Sequence, residues 1–83
     1  MKMENVGYII SDSIAFAFKN ELSIEIKARS ISFSDIPETI NRKDIMNFLD
    51  NAFFRYFEED FFIIENLEKE VLVTYLILER ELE

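Results

Sequence analysis

The sequence predicts a small α+β domain with the element order ββαββ, in which one amphipathic helix packs on one face of a four-stranded antiparallel sheet. Four stretches have strand character, and one has apolar residues at helical spacing. The strands are expected at residues 8–18, 22–33, 61–64 and 71–78, and the helix at about 42–58. A chain of 83 residues has room for one hydrophobic core, so we expect a single domain over residues 1–83.

The first two strands are expected to form a hairpin. Residues 8–18 alternate, with Tyr8, Ile10, Ile14, Phe16 and Phe18 on one face. Residues 22–33 alternate as well, but the pattern shifts by one after Ser30, which predicts a β-bulge near Arg29–Ser30. Lys19-Asn20-Glu21 then forms the loop, which sets Phe18 opposite Leu22, Phe16 opposite Ile24 and Ile14 opposite Ile26.

The predicted helix has both a start signal and a continuous apolar stripe. Asn41 can cap its first turn, with Asp44 three residues later as a partner of the capping-box type. Seven apolar residues then follow the spacing of one helix face, namely Ile45, Phe48, Leu49, Ala52, Phe53, Tyr56 and Phe57. We therefore expect this stripe to cover the sheet.

The last two strands are expected to be joined by the charged turn Glu65–Glu70. One face of the final strand carries Val71, Val73, Tyr75 and Ile77, while the other carries Leu72, Leu76 and Leu78. A strand that is apolar on both faces is central or lies at an oligomer interface, so these four residues form a predicted homodimer interface. The competing interpretation is a second helix over residues 67–82, which the run of β-branched residues disfavours.

The charge is distributed unevenly. The net charge is −8, and it lies entirely in residues 35–83, because residues 1–34 carry four acids and four bases. Such a balance disfavours direct binding of nucleic acid or of an anionic membrane. It favours a protein partner with a basic surface, or serves solubility alone. With no signal-peptide pattern and no apolar run long enough to span a bilayer, we expect a cytoplasmic protein (in the host cytoplasm if it is viral).

The residue inventory argues against catalysis. The chain has no Cys and no His, and Gly7 is its only glycine, so thiol or histidine catalysis, zinc sites and glycine-rich phosphate loops are not expected. Neighbouring carboxylates such as Glu58 and Glu59 can bind Mg²⁺ or Ca²⁺ when they converge, but a solvated helix end explains them more simply. We predict no catalytic, cofactor-binding or metal-binding residue and no enzyme.

Phe54 is the candidate anchor for a partner. At 100° per residue it falls on the polar side of the predicted helix, between Asp50 and Glu58. An exposed aromatic residue among acids is typical of an interface anchor with a polar rim, although a solvated surface with one exposed ring is the alternative. The predicted partner-binding residues are Phe54, Asp50, Glu58, Glu59, Asp60, Glu65, Glu68 and Glu70.

These observations predict a small acidic interaction protein that docks on a basic, nucleic-acid-binding partner and inhibits or modulates it. Small acidic domains without catalytic residues are similar in type, though not by any motif, to the anti-defence and DNA-mimic inhibitors that phages and mobile elements encode. The alternative is a structural or regulatory homo-oligomer with no inhibitory role.

Overall fold

A computed structural model describes residues 3–77 of the chain. Two helices and four strands alternate along it in the order αββαββ. Their bounds are α1 Met3–Lys19, β1 Ser23–Lys27, β2 Ser30–Ser34, α2 Arg42–Phe54, β3 Phe62–Asn66 and β4 Glu70–Tyr75, with a single 3₁₀ turn at Glu59–Phe61.

The four strands form one antiparallel sheet in the order β1-β2-β4-β3. Ile31 pairs with Ile26 on one side and with Val73 on the other, and Val73 pairs in turn with Ile64. Residues directly opposite each other in antiparallel strands project to the same face, so this row belongs to one apolar face. The predicted α+β class and four-stranded antiparallel sheet are confirmed.

The expected strand at residues 8–18 is wrong, because this segment is part of α1. Its inward face consists of Val6, Ile9, Ser13 and Ala17, which are buried at helical spacing. Two of those four residues are small, so the inward stripe is inconspicuous in the sequence. Large residues lie on the outward face instead and produce the apparent alternation.

The predicted loop at Lys19-Asn20-Glu21 is the end of α1 and not a hairpin. The Leu22 N–H donates to the Ala17 carbonyl at 2.9 Å, and the Glu21 N–H donates to the Phe18 carbonyl at 3.4 Å. These two bonds form a Schellman motif. Glu21 occupies the position where glycine is usual, with φ of 58°. The predicted pairings of residues 14–18 with residues 22–26 are therefore wrong as well.

The expected bulge near Arg29–Ser30 is a hairpin turn. Lys27 pairs with Ser30, so Ala28 and Arg29 form a two-residue connection between β1 and β2. The predicted strand 22–33 is thus two strands, which is why the sheet still has four. A tight turn and a β-bulge both interrupt the alternation of apolar and polar residues along the sequence. The alternation pattern alone therefore does not distinguish a turn from a bulge.

The prediction for α2 is confirmed at its start and along its stripe. The Asn41 side chain accepts a hydrogen bond from the Lys43 N–H at 2.9 Å. All seven residues of the stripe are buried or partly buried in the core. The helix ends at Phe54, four residues before the predicted end, although the Phe57 N–H still donates to the Phe53 carbonyl at 2.7 Å.

The final pair of strands also agrees with the sequence. The strand interpretation of residues 71–75 is confirmed over the helical alternative, while residues 78–82 lie outside the described part of the chain. β4 is a central strand, between β2 and β3. Only one of its two faces is buried, because Val71, Val73 and Tyr75 lie in the core whereas Thr74 is exposed.

Both helices pack on the same face of the sheet. Phe16 of α1 stacks on Phe48 of α2 with ring centroids 4.1 Å apart, and both rings meet the edge of Phe33 from β2. A second aromatic group, Phe53, Phe57, Phe62 and Tyr75, closes the core beneath the C-terminal end of α2. No described element covers the opposite face of the sheet.

Candidate interaction surface

The predicted anchor, Phe54, lies at the last position of α2 and is 50% exposed. Its ring meets Phe62 edge to face, with centroids 5.2 Å apart and an interplanar angle of 89°. Phe62 is itself buried against Phe53 and Phe57. Half of the Phe54 ring is thus held by the core while the other half faces solvent. This contact restricts the ring before any partner arrives.

Acidic residues lie on both sides of Phe54 along the chain. Asp50 is exposed one turn earlier on α2, and Glu58, Glu59 and Asp60 are exposed just after the helix ends. The Phe61 N–H donates to the Glu58 carbonyl at 3.0 Å, which forms the 3₁₀ turn. These acids therefore begin a new turn and do not lie in the last turn of α2. We call Asp50, Phe54, Glu58, Glu59 and Asp60 the acidic end surface.

The other predicted acids lie in and beside the β3–β4 turn. Glu65 and Glu68 are exposed and Glu70 is partly buried, and we call these three residues the acidic turn surface. The Arg42 guanidinium at the start of α2 holds this turn. It donates to Asn66 Oδ1 at 2.8 Å, to the Leu67 carbonyl, and to the Glu68 carbonyl at 2.6 Å.

The two acidic surfaces lie at opposite ends of α2. Phe54 at its C-terminal end contacts the start of β3, while Arg42 at its N-terminal end contacts the turn after β3. A helix of 13 residues is about 20 Å long, which sets the approximate separation of the two groups. The sequence treats these acids as one patch around the second hairpin, whereas the structure divides them.

The residues of the predicted oligomer interface on β4 belong to the hydrophobic core of the single chain. Val71 and Val73 are fully buried, Tyr75 is 4% exposed, and Ile77 is partly buried. These side chains contact α2 and the neighbouring strands within one chain. A second chain cannot reach Val71, Val73 or Tyr75 unless that core opens.

Sequence reasoning missed a surface on the open face of the sheet. Leu72, Thr74 and Leu76 alternate with the buried residues of β4, and Thr74 pairs with Ile63, which is 64% exposed. An open depression of about 560 Å³ lies on this face. It is lined by Glu25, Lys27, Ala28, Arg29, Ser30, Ser32, Glu70, Leu72 and Thr74. The apolar residues on the second face of β4 are the signal that could have located it.

Two further properties concern residues 3–77. No group of three or more carboxylates within this range is placed to hold a metal ion. None of the helices described is long and apolar enough to cross a bilayer.

Comparison of the chain with protein-family profiles, with curated proteins and with solved structures found no match.

Proposed function

We propose that this protein is a small, non-catalytic, cytoplasmic interaction module that docks its acidic end surface on a basic surface of a partner protein. The observation that carries the proposal is the half-exposed ring of Phe54, supported from below by Phe62 and bordered by exposed acids. A desolvated aromatic anchor supplies most of the affinity in interfaces of this kind. The surrounding carboxylates steer the encounter and exclude partners of the wrong charge.

The arrangement of the acids favours a partner with an extended basic surface. The acidic end surface and the acidic turn surface are separated by about 20 Å along α2, so a partner that contacts both must present positive charge over a similar length. Surfaces that bind the phosphates of nucleic acid have this property. Docking there excludes the nucleic acid, which gives the module an inhibitory or modulating role of the kind found in proteins of phages and mobile elements.

Capture from a lysate of the source organism tests this proposal. The bait is the tagged chain in four forms: wild type, Phe54→Ser, the triple variant Glu58→Gln/Glu59→Gln/Asp60→Asn, and Ile63→Ser. The last variant is the matched control, because Ile63 is an exposed apolar residue on a different surface. Mass spectrometry quantifies what each bait retains at low and at high salt.

We expect wild type and Ile63→Ser to retain the same basic protein and to release it as salt rises. Phe54→Ser should retain at least about tenfold less of this basic protein, because the aromatic anchor that the interface would bury is lost. The purified partner should also lose bound DNA or RNA when wild type is added. Retention that is equal for wild type, Phe54→Ser and the triple variant contradicts the proposal, as does the absence of any basic protein.

The alternative is a structural or regulatory homo-oligomer. One observation favours self-association on its own account, namely the apolar outward side of α1, and it is compatible with the proposed function.

A further inference from the structure

From Gly7 to Phe18, one exposed side of α1 has no charged residue. Six exposed residues, Gly7, Tyr8, Ser11, Ile14, Ala15 and Phe18, form this side, which we call the α1 outer face. At 100° per residue they lie within an arc of roughly 120°. Phe18 is 88% exposed, Tyr8 56% and Ile14 48%. Such a concentration of large exposed apolar side chains on one helix is unusual for a monomer surface.

We propose that the α1 outer face binds a second copy of this chain, with the two α1 helices antiparallel. Charge selects this occupant. The chain carries a net charge of −8, so two copies repel each other wherever acidic surfaces approach. Residues 1–34 carry no net charge, and none of the six residues of the α1 outer face is charged. A second acidic chain therefore meets little like-charge repulsion at these six residues.

Four of the six residues of the face have a self-complementary order of side-chain sizes. Tyr8, Ser11, Ala15 and Phe18 run large, small, small, large, and the order is the same in reverse. A two-fold axis between Ser11 and Ala15 therefore places Tyr8 beside Phe18 of the second copy at both ends. The small residues at the centre allow the helix axes to approach to about 8 Å. Among the described residues, nothing lies within 4 Å of the Cβ position at Gly7, so this position leaves room for the second copy.

The area of the face is sufficient for a weak specific dimer. Tyr8, Ile14 and Phe18 together expose on the order of 400 Å² in each copy, given the usual areas of such side chains. With the small residues and the flanking Asp12 and Lys19, both copies together bury about 1,000 Å², which is near the lower limit for a specific interface. We expect a dissociation constant that is roughly micromolar.

The dimer leaves the acidic surfaces accessible. α1 packs against β1, at the edge of the sheet opposite β3. The acidic end surface borders the start of β3, and the acidic turn surface follows the end of β3. Joining two chains through α1 therefore directs both sets of acids outward. The inference does not depend on the proposed function, and a dimer can exist whether or not a basic partner binds.

Sedimentation velocity over a range of protein concentrations tests the association. The full chain is compared with Phe18→Ser, with Ile14→Ser, and with the control Ile63→Ser, and circular dichroism verifies that each variant folds. We expect the wild type and the control to dimerise with the same dissociation constant. For Phe18→Ser the dissociation constant should be at least about tenfold higher. Higher salt should strengthen the dimer, because it screens like-charge repulsion, whereas binding of a basic partner weakens with salt.

Single-cysteine variants test the geometry, since the chain has no cysteine of its own. An equimolar mixture of Ser11→Cys and Ala15→Cys should oxidise to the mixed disulfide faster than either variant cross-links alone, because an antiparallel pair sets these positions opposite each other.

Flotation with vesicles of neutral phosphatidylcholine tests the alternative that the apolar helix face binds a lipid surface. The inference is overturned by a monomer at all concentrations, by a dimer that Ile63→Ser abolishes and Phe18→Ser does not, or by binding to vesicles without dimerisation.

Discussion

The Arg42 side chain donates a hydrogen bond from Nη2 to the carbonyl oxygen of Glu68, 26 residues along the chain, at 2.6 Å. Two further bonds from the same guanidinium, to Asn66 and Leu67, join the first turn of α2 to the β3–β4 turn. The planar guanidinium presents several donors at once, and three acceptors in this turn use them. The position of the acidic turn surface relative to α2 depends on this contact.

Arg42→Lys should lower the free energy of unfolding by about 1 kcal/mol, because lysine ends in one nitrogen and does not span the acceptors that the two terminal guanidinium nitrogens reach. Hydrogen exchange at the Leu67 amide, which bonds to the Glu70 carbonyl at 2.9 Å, should accelerate. Lys43→Arg is the matched control on the same helical turn, since Lys43 is exposed. Equal exchange at Leu67 in the wild type and Arg42→Lys contradicts the proposed role of this contact.

Glu21→Gly should stabilise the protein by roughly 0.5–1 kcal/mol, because Glu21 has a left-handed φ of 58° that costs a residue with a Cβ more than it costs glycine. Urea denaturation measures the change. Asp35→Gly is an informative comparison. Asp35 has a similar φ of 50°, but its carboxylate accepts a bond from the Ser23 hydroxyl at 2.6 Å. Loss of that bond should cancel the gain, and equal gains in the two variants would contradict this explanation.

Ser13→Ala should raise the free energy of unfolding by about 1–1.5 kcal/mol. The Ser13 hydroxyl is fully buried in α1 without a hydrogen-bond partner among the described residues, and alanine removes that unsatisfied group. Alanine also has the better helix propensity, which contributes about 0.5 kcal/mol. Ser11→Ala, at an exposed position of the same helix, isolates the propensity effect. Both variants are measured at low protein concentration, where the chain is a monomer. If Ser13→Ala stabilises the protein no more than Ser11→Ala does, burial of the unsatisfied hydroxyl has no effect on stability.

Tyr75→Phe should change the alkaline dependence of stability. Burial raises the pKa of the Tyr75 hydroxyl above its usual value of 10.0. Below that pH both the folded and the unfolded chain keep the proton. Above it the unfolded chain ionises first, so stability falls until the pH passes the folded pKa.

Urea midpoints measured from pH 8 to pH 12 compare Tyr75→Phe with the wild type. The two proteins differ only at position 75, so the difference between the two curves isolates Tyr75. We expect a steeper fall for the wild type. Parallel curves across that range would contradict the assignment.

The sequence predicts α2 well because its apolar stripe is also its buried stripe. The residues from Ile45 to Phe57 at helical spacing all contact the core, and Asn41 caps the helix as expected. Phe54 falls outside the stripe, and its exposure follows from the same geometry. One periodic pattern thus predicts both the helix and the anchor.

The sequence misleads at α1 because small residues are buried there and large apolar residues are exposed. Ser13 and Ala17 face the core, whereas Ile14 and Phe18 face solvent. Period-two alternation arises by chance from that combination, and β-branched residues then favour a strand. The same exchange creates the α1 outer face, so the wrong prediction and the proposed dimer surface have one cause.

The separation of the acids could not be predicted from the sequence alone. It depends on the antiparallel course of β3 beside α2, which brings Phe62 to one end of the helix and Leu67 to the other. Local patterns locate turns and faces, but they do not determine which end of a helix a later turn approaches.

The central claim is that the acidic end surface binds a basic partner, and nuclear magnetic resonance tests it most directly. The isotope-labelled chain is titrated with the basic protein recovered by capture, and amide shifts are followed residue by residue. We expect the largest changes at Phe54 and from Glu58 to Asp60, with smaller changes at Glu65 and Glu68. Changes confined to the open sheet face around Ile63, or to the α1 outer face around Phe18, would contradict the claim.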